Sequence, residues 1–215
     1  MDREITEGIE ETSIKPGHVK IAIEDPNSEE EITALKAGIQ IARKHGLSLT
    51  IHQGLMLSQE AALGIADMVE AGKLDPRRTV IAHVDSRIVE TNLQKLILEP
   101  ECWKLDLEIA RKLLHRGFNV SFDCFGHCWD AESIGILSVA DYQRLAGLVT
   151  LIKDGFAHQI VLGTDTFIKL MLRRFGGEGF CRLTGFVVPT LQSVGIPEEV
   201  IRKLTVSNPA NILAY

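Results

Sequence analysis

Five times along this chain a short apolar run is followed by a stretch with helical periodicity, and that alternation restricts the fold more than any other feature. The runs are HVKIAI (18–23), LSLTIH (47–52), RTVIAH (78–83), FNVSFD (118–123) and QIVLGTD (159–165). Each is apolar almost throughout, as expected of parallel strands covered on both faces. The first helical stretch, SEEEITALKAGIQIARKHG, opens with Ser28 and Glu31 at capping-box spacing and stops at Gly46. The second, SQEAALGIADMVEAG, opens at Ser58 and closes at Gly72. The third is a longer helical region reaching Arg116, interrupted near Glu99-Pro100, and the fourth is SVADYQRLAGLVTLIKDG. The fifth run leads through a glycine-rich loop to a helical stretch ending at Val194 and a final helix from about Pro197. Strict alternation implies a parallel sheet with right-handed crossovers. A doubly wound open sheet and a barrel both satisfy it, but no GxGxxG follows the first run, which disfavours the dinucleotide-binding version.

Composition narrows the class. At 215 residues and 45% hydrophobic, the chain suits one domain, residues 1–215, with a sizeable core. A net charge of −6 without a long basic run argues against nucleic-acid binding. No apolar run reaches the roughly 18 residues of a membrane span. The opening segment MDREITEGIEE has no apolar signal-peptide core. Cys102, Cys124, Cys128 and Cys181 form no CxxC pair. The expectation is reduced thiols and a cytoplasmic location.

The polar residues in the apolar runs carry the chemistry. Lys20, His52, His83 and Asp165 stand at or near the C-terminal ends of four of the five runs. In a (β/α) barrel those ends form the active-site face, so side chains far apart in sequence converge there. Imidazole and carboxylate suit a zinc-type ion, and a catalytic site keeps a position open for water.

EITEGIEETSIKPGHVKIAI, LTIHQG, VIAHVDS, FNVSFDCFG, IVLGTDTFIKLMLRRFGGEGF and SNPANIL together resemble, in order and spacing, the last five strands of the phosphotriesterase family in the amidohydrolase superfamily. The resemblance implies a partial eight-stranded (β/α) barrel of the TIM type, with Lys20 a carboxylated lysine bridging two metals. It further implies that His52 and His83 bind the second metal and that Asp165 binds the first and handles the proton of an activated water. A carbamate on Lys20 supplies two anionic oxygens where the cationic amine supplies none, and its formation requires a desolvated amine. The activity implied is metal-dependent hydrolysis of a small ester, lactone or phosphotriester.

The family's opening His-x-His occurs nowhere in this chain. A complete barrel typically takes about 250 residues. The expectation is therefore a truncated barrel with zinc or another divalent metal in at most one tight site. The alternatives are a non-catalytic metal-binding fragment and a subunit completed by a homo-oligomer or a partner chain.

Other candidates carry weaker expectations. In DCFGHCWD, Cys124, His127, Cys128 and Asp130 match no zinc spacing well, and Phe125 and Trp129 are expected to wall a substrate pocket. Arg173, beside FGGEGF, is expected to meet the substrate. Asp85 is read either as orienting a metal ligand or as a solvated loop residue, Asp123 as a structural cap, and His18 as a hydrogen-bonded histidine beneath Lys20.

Overall fold

The computed structural model describes residues 1–54, 57–127 and 137–214. Five strands form one sheet in sequence order: β1 (His18–Ile23), β2 (Ser48–Gln53), β3 (Thr79–Ile81), β4 (Asn119–Phe122) and β5 (Ile160–Leu162). All four pairings are parallel. The α/β architecture expected from the alternation is therefore present. Among the described residues the sheet is open, since β1 and β5 each pair on one side only.

A short helix α1 (Asp2–Glu7) precedes the sheet; α2 (Glu29–His45) and α3 (Gln59–Ala71) are the first two crossovers. The third helical region breaks, as Glu99-Pro100 suggested, into α4 (Leu93–Leu98), a 3-10 turn and α5 (Glu108–His115). Helix α6 (Asp141–Lys153) links β4 to β5, and α7 (Val188–Ser193), α8 (Glu198–Arg202) and α9 (Asn208–Leu213) follow. Among the described residues no helix is long and apolar enough to cross a membrane.

Helix α2 shows how local sequence sets an element. Ser28 accepts a hydrogen bond from the Glu31 amide at 3.2 Å, and Gly46 closes the helix in the left-handed region at φ 67°. Only half the expected capping box forms. The Glu31 carboxylate instead accepts from the amides of Glu24 (2.7 Å) and Asp25 (3.0 Å), pinning the turn out of β1.

Alternation divides each strand between two faces. Val19, Ile21 and Ile23 of β1 and Leu49 and Ile51 of β2 are buried in the core against the helices. Gly38 lets α2 lie close, because a Cβ there would stand 2.6 Å from Ile21 Cγ1. The opposite, inner face carries His18, Lys20 and Ala22 on β1 and Ser48, Thr50 and His52 on β2. His18 bridges the two strands, with Nδ1 2.7 Å from Ser48 Oγ and Nε2 2.9 Å from Thr50 Oγ1.

Candidate metal centre

His52 lies one residue short of the end of β2, and its ring meets that of His83, two residues beyond β3. His52 Nδ1 and His83 Nε2 are 2.7 Å apart, with ring centroids at 4.5 Å and planes at 77°. The outer nitrogens are both taken by carboxylates. His52 Nε2 lies 2.8 Å from Glu24 Oε1, and His83 Nδ1 lies 2.8 Å from Asp123 Oδ1. A carboxylate acts only as an acceptor when ionised, so each outer nitrogen carries its proton. Two lone pairs then face each other across 2.7 Å. A proton on one of the two nitrogens relieves that contact, and without it both lone pairs are available to a metal ion.

The backbone aims these rings. His83 has φ 59° and Asp165 φ 37°, left-handed values that turn each side chain out of the strand's alternation. Asp123 Oδ1 also accepts from the His83 amide at 3.2 Å, and Asp123 Oδ2 accepts from Ser121 Oγ. Burial pushes the Asp123 carboxyl up, but the hydrogen bond and charge of His83 more than reverse this and hold it below the usual range. For His83, burial opposes protonation, yet the Asp123 hydrogen bond and the charges of Asp123, Asp165 and Asp85 outweigh it and raise the imidazole.

Asp165 approaches His83 and Cys124, in a group that does not include His52. His83, Cys124 and Asp165 each bring a donor atom within 4.8 Å of the others. The Asp165 turn is held by His127, whose Nε2 lies 3.1 Å from the carbonyl oxygens of Thr164 and Asp165. Burial, then the charges of Asp85 and Asp123, drive the Cys124 thiol far up, so it stays protonated. Behind the site, Asp85 Oδ2 accepts from the Cys124 amide (2.9 Å) and from Arg144 Nε (3.0 Å). Burial and the Asp123 charge push Asp85 up to about 6, against the pull of Arg144.

His52, His83 and Asp165 gather at one end of the sheet. Lys20 shares the inner face with His52, but it is the third residue of β1, paired with Thr50, and it is exposed. The residue just beyond this strand that reaches the site is Glu24, for which the sequence pattern gives no signal. Asp123 orients His83 instead of serving only as a cap, while Asp85 is bound to Arg144. Phe125, expected in a pocket wall, is 1% exposed and belongs to the core. Arg173 is exposed in a 3-10 turn. Trp129, Cys128 and Asp130 lie outside the described residues.

The donor set fits a divalent metal. Ligand histidines ordinarily donate their second ring N–H to a carboxylate, which fixes the tautomer, and both histidines here are held in that way. The desolvation that a carbamate on Lys20 requires is not provided by the residues around it, since its side chain is exposed.

Comparison with known proteins bears on the family and the fold. The model of the phosphotriesterase family matches residues 1–213. An N-acetyltaurine hydrolase from Dictyostelium discoideum is 29% identical over 211 residues, 96% of this chain and 52% of its own length. The Homo sapiens N-acetyltaurine hydrolase is 27% identical, covering 99% of this chain and 56% of its own. This chain thus spans little more than half the length of these relatives. Among solved structures, a mutant PTE-like lactonase from Deinococcus radiodurans superposes with a TM-score of 0.79 at 24% identity, covering 99% of this chain and 62% of its own. An organophosphorus hydrolase from the same organism gives 0.76 at 23% identity, over 99% of this chain and 60% of its own. Those barrels share the fold, and the part matched is consistent with a partial barrel.

Proposed function

This chain belongs to the phosphotriesterase family, and from that premise we propose that it binds a divalent metal, zinc or a similar ion, for the hydrolysis of a small ester, lactone or phosphotriester. The observation that carries the reading is the facing pair, His52 Nδ1 and His83 Nε2 at 2.7 Å, with both outer nitrogens on carboxylates. His52 and His83 are the principal donors. Asp165 is the carboxylate donor and the acceptor for a proton from the attacking water, and Lys20 would join them as a carbamate only where further strands cover and desolvate it. An ion held there supplies Lewis-acid polarisation of the substrate oxygen and lowers the pKa of water. Glu24 and Asp123 keep the two rings oriented, and exposed Arg173 is the candidate to meet a polar substrate group.

The names of the relatives add a second substrate class. N-acetyltaurine carries an amide, so an N-acyl amide belongs beside the esters and lactones as a candidate. The test is zinc uptake followed by assay of one lactone, one aryl ester, one phosphotriester and N-acetyltaurine. Zinc-dependent turnover of any of them, abolished in His52→Ala and His83→Ala, is the expected result. Zinc binding unaffected by both substitutions would overturn the metal assignment.

A further inference from the structure

We infer that Glu24 is the positioning residue of His52, and that residue 54 is glycine because the Glu24 carboxylate needs the space a Cβ would fill. The inference rests on the proposed metal centre for its purpose, but its geometry stands independently. An imidazole can present either nitrogen, since its terminal torsion is broad, and a partner on one nitrogen settles which faces the site. Glu24 Oε1, 2.8 Å from His52 Nε2, accepts that N–H and leaves Nδ1 directed at His83.

Three features place Glu24 there. It is the first residue after β1, and its amide donates to Glu31 Oε2 at 2.7 Å, so the turn is held. Gly54, the first residue after β2, donates its N–H to the Ile23 carbonyl at 2.8 Å, drawing the two strand ends together. A Cβ on residue 54 would stand 2.1 Å from Glu24 Oε2 and 2.9 Å from Glu24 Cα. The second contact is with backbone, so an alanine displaces the strand end as well as the carboxylate. Arg87, whose guanidinium donates to the Gly54 carbonyl and to Gln53 Oε1, fixes the other side of the same segment.

Asp123 plays the equivalent part for His83, so the two rings are oriented by one carboxylate each. The two carboxylates differ in setting. The Glu24 side chain is 60% exposed, so its loss should disturb the ring far more than the fold.

The experiment combines imidazole ¹⁵N and ¹H NMR of the metal-free chain with zinc affinity by chelator competition. In the parent protein and in Glu24→Gln, whose amide oxygen also accepts, His52 should show an Nε2–H that exchanges slowly with water. In Glu24→Ala that proton should exchange too fast to observe, and zinc affinity should fall about 10–100-fold. Thermal midpoints should agree across all three. Gly54→Ala should lose the His52 proton as Glu24→Ala does and lower zinc affinity at least as far, and the double variant should be no weaker than Gly54→Ala alone. An unchanged His52 proton in Glu24→Ala, or equal zinc loss in the Ala and Gln variants, would overturn the assignment. Parent-like zinc affinity in Gly54→Ala would overturn the role given to the glycine. Failure of the metal reading would appear separately, as zinc binding retained in His52→Ala with the NMR result intact.

Discussion

His83 and Asp165 hold φ values of 59° and 37°, and such left-handed backbone costs a non-glycine residue about 1–3 kcal/mol. The surrounding hydrogen bonds sustain it: Asp123 accepts both the amide and the ring N–H of His83, and His127 lies within bonding distance of the Asp165 carbonyl. A prediction follows for proton and metal. In the metal-free chain a proton on His83 Nε2 resolves the clash with His52 Nδ1, and the elevated His83 pKa favours that proton. Metal must displace it, so zinc affinity should weaken as pH falls through the raised His83 value, and zinc binding should release protons. Asp123→Ala removes a cause of the elevation, so it should move that midpoint down and cost about 10–100-fold in affinity. Calorimetry in buffers of different ionisation enthalpy measures both. Invariant proton release between pH 5 and 8 would contradict the arrangement, taking that window from the usual range of imidazole titration. At this scale the sequence was informative where a proposed ligand stands near a strand end, as with His52. Glu24 was illegible, because its partner is 28 positions away and Glu-Asp-Pro reads as an acidic lead into a helix.

At the scale of elements, α6 does more than cross from β4 to β5. Its Arg144 is 1% exposed, and it joins Asp85 beyond β3 to Asp141 at the start of its own helix, while also donating to the Val139 carbonyl. Asp141 in turn accepts from the Gly126 amide (3.0 Å) and from Arg182 (2.7 Å). One buried ionic chain therefore clamps the loops after β3 and β4 that carry His83 and Asp123. Arg144→Met leaves Asp85 buried and uncompensated, which should cost about 3–5 kcal/mol in urea unfolding. Arg144→Met with Asp85→Asn should recover part of that loss, because no charge is then stranded. A simple packing role for Arg144 predicts no recovery. The order and type of elements were legible from the alternation, but strand ends were not. The runs RTVIAH and QIVLGTD yield strands of only three residues each, because His83 leaves extended geometry and the β4–β5 register ends at Phe122 and Leu162, with the Gly163 amide making the last bond to the Phe122 carbonyl. Nor does any periodicity single out Arg144, which sits among the apolar positions of α6 as its one buried cation.

Across the whole molecule the sheet runs β1-β2-β3-β4-β5 and stops with two open edges. A closed barrel satisfies every strand edge and covers its inner face with side chains from opposite strands. Here the inner face of β1 meets solvent at Lys20 and Ala22, although the outer face of the same strand is buried at Val19, Ile21 and Ile23. An unpaired strand edge beside apolar surface is a template for pairing with another chain. Exposed apolar side chains lie elsewhere too, among them Ile97 (67%), Leu98 (76%) and Trp103 (69%) around the α4 turn. This chain should therefore self-associate, or require a second polypeptide to complete the barrel, at concentrations where a closed barrel of similar size stays dispersed. Sedimentation velocity over a dilution series tests this directly. The expected result is a weight-average mass that rises with concentration, accompanied by slowed amide exchange in β1 and β5. A monodisperse monomer with one cooperative unfolding transition and rapidly exchanging β1 amides would show that the open edges are tolerated. The two edges can also be told apart. A proline at Ala22, on β1, removes an amide donor from that strand alone, so it should reduce association if β1 is the pairing edge and leave it unchanged if β5 is.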